Sequence, residues 1–158
     1  MRPTLLVLVC LSPCALLACE DLPDARAEDL VRQYNRALAT AFRTADPSPL
    51  KGVASEREVA KVTHLIDVKR ETNMTLDSTL VDFGMQGVDR TGKKVQVRST
   101  ERWRYVNRRI GSGEPVSATT DERYMMRYDL LRDGEKWKVD ETAFLSKPGN
   151  DSKPKETP

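Results

Sequence analysis

The chain has 158 residues, with 26 Lys and Arg against 24 Asp and Glu, one His and three Cys. That length supplies one ordinary domain and too little chain for two well-sized ones. A net charge of +2 creates no demand for a polyanionic partner, and nucleic acid is not expected.

The first element in chain order is a targeting segment. Met1-Arg2-Pro3 precedes an apolar run from Leu5 to Ala18, and the chain turns polar from Glu20 onward. A bilayer core needs roughly 20 apolar helical residues; this run is shorter and is interrupted by Ser12 and Pro13. It reads as an export signal, not a transmembrane anchor. Leu16-Leu17-Ala18-Cys19 resembles the lipobox of bacterial lipoproteins. The resemblance implies removal of residues 1–18, a diacylglyceryl group on the Cys19 thiol and further acylation of the new N-terminus. No cysteine follows Cys19, so the exported domain must stand without disulfides, thiolate metal ligands or a cysteine nucleophile. Residues 19–24 form a tether of at most about 20 Å. Glu20 differs from the aspartate associated with inner-membrane retention, which points to an outer membrane and the periplasm.

The domain proper is expected over residues 25–146. Asp24 is placed to cap a first helix in which Ala27, Leu30, Val31, Tyr34, Leu38, Ala41 and Phe42 recur at helical spacing, with Pro47 and Pro49 closing it. A turn over Leu50 to Val53 leads to Ser55-Glu56-Arg57-Glu58, a capping box flanked by Ala54 and Val59 as a staple. The second helix buries Val59, Val62 and Ile66 and ends near Glu71 to Asn73. From Met74 the period becomes twofold, giving strands at 74–88, 94–107, 119–132 and 135–144 in an antiparallel meander. Asp89 to Gly92 and Asp133-Gly134 supply the tight turns, and Gly84 and Gly87 mark a bend or bulge. The connection from Arg108 to Ala118 is the long loop. Residues 147–158, with three prolines and no apolar anchor, read as a disordered tail.

The expected fold class is therefore α+β: two to three N-terminal helices packed on a curved four-stranded antiparallel sheet. That order of elements, with Glu101-Arg-Trp-Arg-Tyr105 on one long strand and Arg127 to Asp140 over the final hairpin, resembles the nuclear transport factor two-like superfamily of cone-shaped domains. Within it the chain is similar to the noncatalytic branch that includes the IMS domain of organelle-division proteins. The resemblance covers residues 25–145 and implies fold, not activity. Unlike fuller members, this sequence has no evident short strand pair between its helices.

Candidate site residues follow from alternation along the second strand. Glu101, Trp103 and Tyr105 share the face of Val95 and Val97, so Glu101 points into the cone, with Tyr128 on the next strand. A packing role is expected for Glu101 and for the aromatics Trp103, Tyr105, Tyr124, Tyr128 and Trp137. In the alternative reading Glu101 is the base of a small acid-base enzyme or lines a small-ligand site, with Tyr105 or Tyr128 donating a hydrogen bond. Lys94, Arg98, Arg102 and Arg104 lie on the opposite face and continue into Arg108 and Arg109, a basic stripe expected as a solvated sheet face, given the Glu, Asp and Ser residues scattered nearby, that would alternatively suit anionic lipid headgroups or an acidic envelope protein. His64 points away from the apolar helix face and is expected on the surface. No cofactor or metal is expected. The overall expectation is a membrane-anchored envelope lipoprotein that acts as a binding or scaffolding module.

Overall fold

A computed structural model describes residues 22–92 and 94–148. The expected export signal, the expected lipidation site Cys19 and the chain beyond residue 148 lie outside the described residues. Two helices, α1 (Asp24–Thr44) and α2 (Glu56–Glu71), flank a 3-10 turn at Ser48–Gly52. Four strands follow: β1 (Met74–Thr91), β2 (Lys94–Arg109), β3 (Thr120–Asp133) and β4 (Lys136–Ser146). They hydrogen-bond in the order β1-β2-β3-β4, all antiparallel, as the sequence predicts.

The sheet is long enough to curl because β1 loses register twice against β2, between Leu80 and Asp82 and between Met85 and Gly87. Each bulge adds a residue on one side of the ladder and bends that strand. The bend expected from Gly84 and Gly87 is thus one of two. β4 carries a further shift opposite Asp129 and Leu130. The helices cover the concave face: Ala27, Val31, Tyr34 and Ala41 of α1 and Val62 and Ile66 of α2 are buried with Val95, Val97, Tyr128, Leu130 and Val139 of the sheet. Alternation on β2 is strict here, with Val95, Val97, Ser99 and Glu101 all buried.

Two local expectations need correction. Asp24 is not the cap of α1; Pro23 holds that position, and the Asp24 carboxylate pairs with Arg90 on β1. The capping box before α2 is only half made. Ser55 Oγ accepts from the Glu58 N–H at 3.3 Å, but the Ser55 N–H donates instead to the Val139 carbonyl at 2.9 Å. Glu58 is therefore free to turn inward, where it is 1% exposed. The same Val139 donates its N–H to the Val53 carbonyl at 2.9 Å, so the segment before α2 is stitched to β4.

The helix ends are set by backbone chemistry. Ala45 adopts φ 53° and ψ 34° and its N–H reaches the Ala41 carbonyl, closing α1 two residues before Pro47. Gly134, at φ +61°, makes the turn into β4 as expected of Asp-Gly.

Candidate functional site

The interior is not filled. A cavity of about 370 Å³ opens between the C-terminal half of α1 and the sheet, walled by Leu38, Phe42, Leu76, Trp103, Met126 and Phe144. Phe144 is 56% exposed and stands at its mouth. Asn35, Glu101 and Tyr128 form its polar floor.

Glu101 is brought there by the alternation on β2, and its carboxylate, 1% exposed, collects neutral donors from three elements. Asn35 Nδ2 donates to Oε1 at 3.1 Å, Ser99 Oγ at 2.8 Å and the Tyr128 hydroxyl at 2.6 Å. Trp103 Nε1 donates to Oε2 at 2.7 Å. Tyr128 also lies 3.1 Å from Asn35 Oδ1. Burial first, and then the charge of Glu101, push the Tyr128 phenol well above its ordinary range, so it stays a donor. At the rim, Tyr124 donates to Glu122 Oε2 at 2.5 Å and its oxygen lies 3.1 Å from the Tyr105 hydroxyl. Lys147 pairs with the same Glu122 at 2.7 Å.

A second buried carboxylate sits outside the cavity. Glu58 accepts from the Tyr34 hydroxyl at 2.6 Å and from Thr142 Oγ1 at 3.1 Å, and pairs with Lys61 at 2.6 Å. Burial foremost, together with Glu58, drives the Tyr34 phenol far above its ordinary range. This group ties α1, α2 and β4 together and has the character of a structural bridge.

The structure brings Glu101, Trp103, Tyr105 and Tyr128 to the lining of one cavity, with Tyr128 also packed in the core against Tyr34. Trp137 is half-buried and lies elsewhere, against a second cleft near Leu22. His64 is exposed. Sequence reasoning missed Asn35, Ser99 and Glu58. Asn35 was detectable as the polar residue on the apolar stripe of Val31, Tyr34 and Leu38.

The basic stripe on the outer face is largely spent. Arg98 pairs with Asp89 at 3.0 Å, Arg102 and Arg104 share Asp121 at 2.8 and 3.3 Å, and Arg108 pairs with Asp77 at 2.9 Å. The hydrogen bond from Arg102 holds the Asp121 carboxyl down to about 2. Arg109 is exposed at the loop. The stripe is a row of cross-strand ion pairs with an exposed cation at each end, Lys94 and Arg109, neither in an ion pair among the described residues.

No family model matches the chain, and no curated protein matches it. Solved structures do. The intermembrane space region of the chloroplast protein ARC6 superposes with a TM-score of 0.70 at 19% identity, covering 80% of this chain and 98% of that one. A nuclear transport factor 2-like superfamily protein from Salmonella enterica subsp. enterica serovar Typhimurium gives 0.50 at 10% identity, covering 82% and 95%. The chain has the nuclear transport factor 2-like cone fold. Identities this low establish architecture alone.

Proposed function

We propose that this protein is a non-enzymatic binding module of the bacterial envelope, held at a membrane by lipid on Cys19, that takes an apolar group into the open interior of its cone. The observation that carries the reading is the state of Glu101. A general base must offer a lone pair to the proton it removes. Here three donors converge on Oε1 and a fourth on Oε2, so the carboxylate is engaged by its own floor. The hydroxyl protons that could stabilise a developing oxyanion are committed too: Tyr128 to Glu101 and Tyr124 to Glu122, with Tyr105 in contact with Tyr124. What the cavity offers an occupant is its apolar wall.

The test is to purify the chain from the cells that make it and record native mass spectra of it and of Ser78→Phe, which puts a ring into the cavity. The reading predicts a co-purifying apolar molecule on the first and none on the second. An empty chain that also fails to bind a dye with an apolar ring system, such as anilinonaphthalene sulfonate, would overturn it. So would a bound molecule that the chain converts chemically and Glu101→Gln does not.

A further inference from the structure

The end of the cone where the chain joins it carries a separate cleft of about 360 Å³, bounded by Leu22, Arg26, Arg132 and Lys136, with Asp29 and Glu135 beside them. Leu22 is 5% exposed, and its carbonyl accepts from Arg90 Nη2 at 2.7 Å. Arg90 holds the Asp24 carboxylate as well. The point of attachment is thus fixed. Cys19 stands three residues before Leu22, a reach of at most about 10 Å.

We infer that this end of the cone docks on the anionic headgroups of the membrane that carries the lipid, with Arg26, Arg132 and Lys136 meeting headgroup phosphates. The inference rests on the lipid anchor at Cys19. A lipid on so short a lead from a clamped residue gives the domain little freedom to turn another face to the bilayer. Charge complements the geometry. Among the described residues Arg26 and Lys136 make no ion pair, and Arg132 Nε donates to the Gly134 carbonyl at 3.2 Å. Asp29, which accepts from Gln33 at 2.6 Å, and Glu135 keep their charges, so three exposed cations outnumber two carboxylates around the cleft. Arg98, Arg102, Arg104 and Arg108 of β2, by contrast, are already matched by Asp89, Asp121 and Asp77. Basic groups within a Debye length of an anionic leaflet are drawn to it.

Docking in this way also orients the cavity. Helix α1 starts at the cleft, and Phe42, which lines the cavity, lies about 27 Å farther along at 1.5 Å per residue. The cavity then lies toward the end of the cone away from the bilayer.

The test uses the lipidated chain reconstituted into vesicles of phosphatidylcholine, alone or with about one third phosphatidylglycerol. Nitroxide labels are placed on Ala25→Cys, at the docking end, or on Ser112→Cys in the far loop. With phosphatidylglycerol present, the Ala25 label should be reduced by external ascorbate about threefold more slowly, and the Ser112 label at an unchanged rate. The variant R26E/R132E/K136E alters three exposed side chains and should abolish the difference. Equal reduction in both vesicles while the chain stays vesicle-bound would overturn the docking and leave the anchor standing, as would protection of Ser112 instead. A chain that does not float with phosphatidylcholine vesicles would overturn the anchor, and the docking with it.

Discussion

A buried carboxylate without a cation is expensive unless donors replace its water, and Glu101 survives inside the cone because four neutral donors do so. That arrangement makes Glu101→Gln a structural change as well as an electronic one. The structure puts one N–H of the new amide against a donor. We predict a loss of roughly 1 to 3 kcal/mol, read from urea melts; a loss under about 0.5 kcal/mol would show that the floor can rearrange. Tyr128→Phe removes one charge-assisted bond and should cost about 1.5 to 3 kcal/mol at neutral pH. It should also change the alkaline limb. The folded-state pKa of Tyr128 is raised by burial and by Glu101, so its protonated form favours the fold below the ordinary phenol range near pH 10, and that stability is lost as pH rises beyond it. Unfolding followed at 295 nm should therefore shift to higher pH relative to neutral stability in Tyr128→Phe. The inward aim of Glu101 is legible in the alternation of β2, but its partners are not. Asn35 lies 66 residues away on another element, and Ser99 is too common a residue to signal anything alone.

At the scale of elements, order and type follow from periodicity and turn chemistry, and the surprises come where one local rule competes with a tertiary contact. Ser55-x-x-Glu58 reads as a reciprocal cap, yet the Ser55 N–H is taken by Val139, and Glu58 is redirected to Tyr34 and Lys61. No pattern within the motif reveals that. The surviving half of the cap predicts that Ser55→Ala costs about 1 kcal/mol, whereas Glu58→Gln, which breaks a buried pair joining three elements, should cost more. A chemical denaturation series of the two decides it, and equal losses would mean that the buried group is no more than a cap. Trp137, after the Asp133-Gly134 turn, packs against the core as expected but stays half-buried beside a cleft, so Trp137→Ala should cost about 1 to 3 kcal/mol, below the range for a fully buried aromatic.

For the whole molecule, two features work outward from the fold. The outer face of the sheet is held by ion pairs, and Asp121, depressed to about 2 by Arg102, contributes stability that is complete above its ordinary pKa near 3.8 and is lost as pH falls through about 2. Asp121→Asn should flatten the acid limb of the stability profile in that window. The emptiness of the interior is the other feature. Helix and strand patterns specify which residues face inward but not whether their volumes fill the space, because cavity volume depends on bulge positions and on the approach of α1. The central claim is that an apolar group occupies that space, and Trp103 on its wall reports on it directly. In a Trp137→Phe chain, Trp103 is the sole indole left of the two, and titration with anilinonaphthalene sulfonate should quench its fluorescence saturably at one dye per chain. Adding Ser78→Phe should abolish the response. A Trp103 signal that stays flat across the titration, or that responds equally with the cavity blocked, would contradict the account.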